Sequence, residues 1–313
     1  MGKIAFVFPG QGSQYVGMGR ELAMTFAEAE ETYSVASREL GFDVADLCFH
    51  GPEEKLKQTA NTQPAILTTS IACWRVLQRE GIRPDFVAGH SLGEYSALVA
   101  AGALAFADGV KLVRLRGRLM EKAVPQGKGS MAAVLGLPAD EVNRLCQEVG
   151  QKGLVEPANF NCPGQIVVAG ETEAVELFTA KAMEAGARRV VKLPVSGPFH
   201  CRLMEPVSEE LSRALHKVDF KDPAVPIIAN STADYVETVE EIRKVLVQQV
   251  SKPVLWEDSI RKLIADGTKT FVEVGPGKVL TGLIKKIDKN VKVYNVEDMK
   301  SLEKTLASLK ECS

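Results

Sequence analysis

Phe86-Val87-Ala88-Gly89-His90-Ser91-Leu92-Gly93-Glu94-Tyr95-Ser96-Ala97-Leu98 passes from a short apolar run, through a glycine-bracketed turn, into a helix-compatible sequence. A short apolar run closed by a turn signal reads as a buried strand. The turn itself, Gly89 to Gly93, fits G-x-S-x-G. In that pattern a strained strand-to-helix turn stands the Ser hydroxyl clear of the sheet and lets the following backbone N–H face an oxyanion. A turn that merely packs a helix close to a strand is the plainer reading. The strand before it and the helix after it favour a nucleophile at Ser91.

Working outward, the same alternation recurs. Ile4 to Phe8 is an apolar run ending in Pro9-Gly10. Leu22, Phe26, Ala29, Tyr33, Ala36 and Leu40 follow at helical spacing, closed by Gly41. Pro64 is placed at a first helical position, with Ile66 to Glu80 behind it and Gly81 as the stop. Val225 to Ala229 and Thr270 to Val274 resume the strands. Alternating strands and helices predict an α/β fold with a largely parallel sheet. The middle differs. After a linker at Pro125 to Gly129 come a strand (Met131 to Leu137), a helix (Ala139 to Val149) and a strand (Leu154 to Ala158). A second strand (Gln165 to Ala169), a helix (Glu171 to Ala185) and a last strand (Arg188 to Leu193) complete a β-α-β-β-α-β unit. The expected architecture is a large α/β-hydrolase-like domain, residues 1–126 and 195–313, interrupted by a ferredoxin-like α+β subdomain at 127–194.

Composition excludes several functions. The 313 residues are 45% hydrophobic and 25% charged, with 38 Lys+Arg against 40 Asp+Glu. A net charge of -2 argues against nucleic acid as a partner, and aromatics at 6% against a stacking platform. The apolar run at the amino terminus is too short for a secretory signal, and no stretch is long enough to span a membrane. The six cysteines, Cys48, Cys73, Cys146, Cys162, Cys201 and Cys312, form no C-x-x-C pair. They read as reduced thiols of a cytoplasmic protein, and no metal or cofactor is expected.

A nucleophilic serine needs a base, and there are four histidines. His90 adjoins Ser91 and should point elsewhere; His216 reads as a solvated residue near a helix end. His200, at the end of the Ser196-Gly197-Pro198-Phe199-His200 loop, is favoured over His50 because a glycine-proline loop aims a side chain from a fixed backbone. Cys201 has no glycine elbow and reads as a small buried thiol. Arg116 lies three or four residues from Leu112, Val113, Leu119 and Met120, in the middle of an apolar stripe, whereas Arg114 and Arg118 fall on other, solvated faces. A buried arginine requires an anion. An internal carboxylate and a substrate carboxylate both satisfy that demand. Gly10-Gln11-Gly12-Ser13-Gln14 misses the dinucleotide fingerprint, with Tyr15 at the third glycine, yet can present a backbone N–H to an oxyanion. Glu273-Val274-Gly275-Pro276-Gly277-Lys278 lacks the first glycine of a phosphate loop.

Together these segments, with Asn61-Thr62-Gln63-Pro64-Ala65 and Pro198-Phe199-His200, resemble malonyl-CoA:acyl carrier protein transacylase of bacterial fatty-acid synthesis, in family order from residue 6 to residue 277. The resemblance implies a ping-pong transfer from malonyl-CoA to the phosphopantetheine thiol of acyl carrier protein. Ser91 would be acylated with His200 as base. The backbone N–H groups of Gln11 and Leu92 would form the oxyanion hole, and Arg116 would clamp the malonyl carboxylate. Gln249 would orient His200 through its backbone carbonyl, and Gln63 would lie near the site. Phe199 is bulky enough to crowd an α-methyl branch. Acyl carrier proteins are acidic, so Arg188-Arg189 and Lys285-Lys286 are candidate docking cations. A serine thioesterase or esterase shares the elbow but predicts an acidic triad member between Ser91 and the histidine in chain order, and gives no reason for an arginine on the buried stripe. A catalytically silent scaffold predicts that Ser91 is dispensable.

Overall fold

The computed structural model describes residues 2–125, 127–195 and 197–310, so Gln126, Ser196 and Cys312, invoked above, lie outside it. A six-stranded sheet is built from β1 (Lys3–Phe8), β2 (Phe86–Gly89), β7 (Ile227–Ile228), β8 (Tyr235–Val236), β9 (Thr268–Val274) and β10 (Lys292–Val296). A four-stranded sheet is built from β3 (Gly129–Leu135), β4 (Val155–Cys162), β5 (Gln165–Glu171) and β6 (Arg189–Lys192). The larger sheet runs β10-β9-β1-β2-β7-β8. Its neighbours are parallel except for β8, which returns antiparallel on β7. The smaller sheet is antiparallel throughout, in the order β4-β5-β3-β6.

β1 shows why its sequence is a continuous apolar run. Ala5 and Val7 join a cluster with Trp256, Ile260 and Phe271, while Phe6 and Phe8 join a separate cluster with Leu22, Ile66 and Val113. A central parallel strand covered on both faces has no side to leave polar. The four-stranded sheet carries its own core, with Val134, Val142, Leu145, Val168 and Phe178 among its members.

Two helices depart from expectation. The periodic segment from Leu22 to Leu40 is not one helix: Phe26 is extended, with φ −121° and ψ 122°, and separates Arg20–Thr25 from Ala27–Leu40. The helix around Pro64 starts earlier, at Thr59, and carries the proline inside it. Thr59, Thr62 and Gln63 are buried, because this helix meets the Phe106–Lys122 helix closely at Gly117. A Cβ on Gly117 would stand 2.8 Å from the Thr59 carbonyl oxygen. Packing therefore extends the helix backwards past the point where proline alone would start it. The edge strand β10 and the two-residue β8 carry no sequence signal that stands out from their surroundings.

Candidate active site

The carboxyl ends of β1, β2 and β7 converge, and each delivers a polar residue just beyond its last strand position. These are Gln11, Ser91 and Asn230. Crevices at this end of a parallel sheet are the usual place for chemistry in α/β folds. The glycines of the elbow are required by close approach. A Cβ on Gly89 would stand 1.9 Å from the Gly93 carbonyl, one on Gly93 2.0 Å from the Phe8 carbonyl oxygen, and one on Gly10 2.5 Å from that of His90. Ser91 itself sits in the left-handed region, with φ 52°, and His200 likewise with φ 61°. Such backbone costs about 1–3 kcal/mol per residue and persists only where the surroundings hold it.

Ser91 and His200 meet: Oγ lies 2.7 Å from Nε2. On the far side of the ring Nδ1 lies 2.7 Å from the backbone carbonyl of Gln249, the last residue of the Val239–Gln249 helix. A carbonyl can only accept, so Nδ1 carries the proton and Nε2 presents its lone pair to the serine hydroxyl. Burial, followed by the Arg116 guanidinium, lowers the His200 pKa to about 3, so the imidazole is held neutral. The acidic residue that a hydrolase triad would place behind His200 is here a carbonyl.

Arg116 is 1% exposed at the centre of the Phe106–Lys122 helix. It donates to Gln63 Oε1 at 2.9 Å, Gln249 Oε1 at 2.8 Å and Ser91 Oγ at 3.2 Å. Tyr95 lies with its ring 5.5 Å from the guanidinium carbon. The polar partners are thus neutral oxygens, and Nε has no hydrogen-bond partner. Of the two anions left open by the sequence, an internal carboxylate is not what grips this arginine. A cavity of about 90 Å³ brings together Gln11, Ser91, Leu92, Arg116, Phe199 and His200, with Met131 and Leu193 closing it from the side of the smaller sheet. Two larger surface grooves, about 720 Å³ each, contain none of these groups.

The other candidates lie elsewhere. His50 and His216 are exposed and bond within their own helices, to Asp46 and to the Ser212 carbonyl. His90 turns away from Ser91, to Asn161 at 2.9 Å and to the edge of Trp256. Cys201 donates to the Pro198 carbonyl, and burial pushes its thiol up to about 12, so it is no thiolate nucleophile. Arg118 is exposed, but Arg114 is not simply solvated: its guanidinium stacks 4.3 Å over Phe42. The planar, weakly hydrated guanidinium favours an aromatic face over bulk water. Arg188, Arg189, Lys285 and Lys286 are exposed. Among the described residues no cluster of three or more His, Cys, Asp or Glu could hold a metal, and no helix is long and apolar enough to cross a membrane.

Two residues given no role by the sequence complete the site. Asn230 clips the elbow, accepting from Ser91 N at 2.6 Å and donating to the Gly89 carbonyl at 2.6 Å. Glu94, 2% exposed in the first turn after Ser91, accepts from Gln249 Nε2 at 2.7 Å and from Asn230 N at 3.1 Å. Asn230 could have been found from its place directly after the Val225–Ala229 strand signal. Glu94 gave only the weak hint of a carboxylate in an otherwise apolar helix.

The acyl transferase domain model matches residues 5–306. A malonyl CoA-acyl carrier protein transacylase of Bacillus subtilis is 49% identical over 99% of this chain and 98% of its own length. The crystal structure of an acyl carrier protein S-malonyltransferase from Vibrio cholerae superposes with a TM-score of 0.95 at 45% identity, covering 97% of this chain and 99% of that one. A malonyl-transacylase solved in complex with its type II PKS acyl-carrier protein superposes with a TM-score of 0.96 at 45% identity, over 98% and 99% of the two chains.

Proposed function

The chain belongs to the acyl transferase domain family, and from that premise we propose that it transfers malonyl from malonyl-CoA to the phosphopantetheine thiol of acyl carrier protein for fatty-acid synthesis. One observation carries the chemistry. The Ser91–His200 pair, oriented by a carbonyl, shares its cavity with a buried arginine whose hydrogen-bond partners are neutral.

In the first half-reaction Ser91 Oγ attacks the thioester carbonyl as His200 Nε2 takes its proton. The oxyanion forms facing the backbone N–H groups of Gln11 and Leu92. Collapse breaks the carbon–sulfur bond, and His200 returns its proton to the departing CoA thiolate. Malonyl remains on Ser91 with its carboxylate against Arg116, a charge-assisted pairing that an acetyl group cannot make. In the second half-reaction His200 takes the proton of the carrier thiol as its sulfur attacks the ester carbonyl; collapse breaks the carbon–Oγ bond, and His200 returns the proton to Ser91 Oγ. Gln63 and Gln249 hold the guanidinium from two sides. Phe199, buried on the cavity wall, narrows the space beside the α-carbon and favours malonyl over methylmalonyl.

The finer architecture fits this reading. Residues 127–194 make a ferredoxin-like subdomain, supported by the β-α-β-β-α-β order and the strand sequence β4-β5-β3-β6. Residues 1–126 and 195–313 make the larger, α/β-hydrolase-like domain, supported by the elbow at the end of β2. The exposed pairs Arg188-Arg189 and Lys285-Lys286 supply positive charge for an acidic carrier. A cytoplasmic location suits a CoA substrate and the five buried free thiols.

The test is intact-mass measurement after incubation with malonyl-CoA. A malonyl adduct on Ser91, discharged by carrier thiol faster than by water, is expected, with a lower yield from methylmalonyl-CoA. Rapid discharge by water would mark a thioesterase instead, and no adduct would end the reading.

A further inference from the structure

Resting on the malonyl-transfer reading, we propose that Glu94 is a positioning residue: without touching substrate, its carboxylate fixes which end of the Gln249 side-chain amide faces Arg116, and so sets the preference for malonyl. The geometry is a chain of three groups. Glu94 Oε2 accepts from Gln249 Nε2 at 2.7 Å, and Gln249 Oε1 accepts from Arg116 Nη2 at 2.8 Å. The same Nε2 donates to the Ser91 carbonyl at 2.9 Å. A carboxylate offers only acceptors and a guanidinium only donors, so a single orientation of the amide between them satisfies both. Reversed, the amide would press an N–H group against the guanidinium and a carbonyl against the carboxylate. In a buried site that misfit is costly.

The consequence reaches the substrate. Arg116 is held by amide and hydroxyl oxygens, and its electrostatic attraction to Glu94 supplies a counter-charge one amide away. That arrangement seats the guanidinium without consuming it in a direct ion pair, leaving it free to pair with an arriving carboxylate. A glutamine at position 94 would offer both a donor and an acceptor to Gln249. Residue 94 could then pair with either orientation of Gln249, so only the Ser91 carbonyl and Arg116 itself would still set the amide, and the Arg116 seat would lose the fixed acceptor and the counter-charge behind it. Glu94 also holds the backbone N–H of Asn230, which clips the nucleophile elbow, so loss of the carboxylate is expected to slow both acyl groups. The ratio between them isolates the Arg116 limb.

The experiment compares acylation of Ser91 by malonyl-CoA and acetyl-CoA in the full-length wild type, Glu94→Gln, Glu94→Asp, Arg116→Ala and the Glu94→Gln/Arg116→Ala double variant. The malonyl-to-acetyl ratio should fall about tenfold in Glu94→Gln and stay within about threefold of wild type in Glu94→Asp, which keeps the acceptor-only carboxylate. In the Arg116→Ala background the same substitution should move the ratio no further. An unmoved ratio in Glu94→Gln, or an equal fall with and without Arg116, overturns the proposal.

Should Glu94→Gln fail to fold, the wild type performs the substitution itself. Burial holds the Glu94 carboxyl up at about 7, against hydrogen bonds from Gln249 and Asn230 and the charge of Arg116 that lower it. The groups facing it are Arg116 on the Phe106–Lys122 helix, Tyr95 on its own helix, and the neutral Gln249 and Asn230. Burial pushes Tyr95 up to about 12, and an arginine does not deprotonate in a protein. His200 serves both acyl groups and cancels from their ratio. Lowering the pH from about 8 to about 6 should therefore lower the ratio, and a flat ratio overturns the proposal. The two readings fail separately: no malonyl adduct on wild-type Ser91 removes the transfer itself, whereas a normal adduct with an unmoved ratio removes only the role of Glu94.

Discussion

His200 is the residue whose environment most alters its chemistry. Held neutral by burial and by Arg116, with its pKa lowered to about 3, it needs no deprotonation to serve as base anywhere near neutrality. In Glu94→Gln, where no carboxyl at position 94 titrates, acylation of Ser91 by a p-nitrophenyl ester, followed by stopped flow, should keep its rate as the pH falls from about 8 to about 5. A decline centred on the ordinary histidine value, about 6.5, would show that the ring titrates freely. Ser91 and His200 were legible because each stands in a glycine-marked context that announces a strained backbone, and both do have positive φ. Arg116 was legible because its stripe is apolar, although the stripe alone left two anions open. Asn230 and Glu94 were not, since nothing local distinguishes a buried amide or carboxylate from a solvated one. Their roles exist only once the Val239–Gln249 helix and the end of β7 have been brought to the elbow.

Among the elements, the junction of β1, β2 and the elbow helix is the least tolerant of added volume. Gly93→Ala would force a Cβ to within 2.0 Å of the Phe8 carbonyl oxygen, a backbone atom that cannot swing aside. A loss of about 3 kcal/mol or more is expected, read as a lowered urea midpoint. Gly282→Ala, where a Cβ meets nothing within 4 Å in the Val279–Ile287 helix, should be neutral or stabilising by up to about 1 kcal/mol. Equal midpoints for the two variants would refute close approach as the reason for the glycine. The helix boundaries show where periodicity stops informing. Leu22 and Phe26 keep helical spacing across a break, because Phe26 still faces the core from an extended backbone. Pro64 marked a helix correctly but not its start, which tertiary contact at Gly117 decides.

For the molecule as a whole, three buried ionisable groups tilt stability with pH in opposite directions. Burial raises Glu94 and Glu273 to about 7, so the folded state binds protons there that the unfolded chain has already lost. Their stabilisation is present below about 4.5 and is lost as the pH rises through about 7. His200, lowered, acts conversely: its contribution is present above about 6.5 and is lost as the pH falls towards 3. Replacing Glu273, which sits away from the cavity and accepts from Leu280 N and Thr281 N, isolates one of these terms. In Glu273→Gln the unfolding free energy should fall less steeply between about pH 4.5 and about pH 7 than in wild type, measured by urea titration across the range. An unchanged slope would mean that Glu273 ionises as easily folded as unfolded. The alternation of elements and the separate antiparallel sheet could be read from the sequence, because each carries its own periodicity. The closing of one cavity between the two sheets could not, since Met131 and Leu193 look like any other apolar residues until the chain returns.

That return has a consequence in time. Ser91 and His200 are separated by 109 positions, and the carbonyl that His200 Nδ1 faces comes 49 positions later still. A ribosome releases the serine, the arginine and the whole four-stranded sheet before it releases His200, and His200 before Gln249. On the proposed transfer reading, Ser91 has until then no group placed to take its proton. The last piece to emerge is what arms the first.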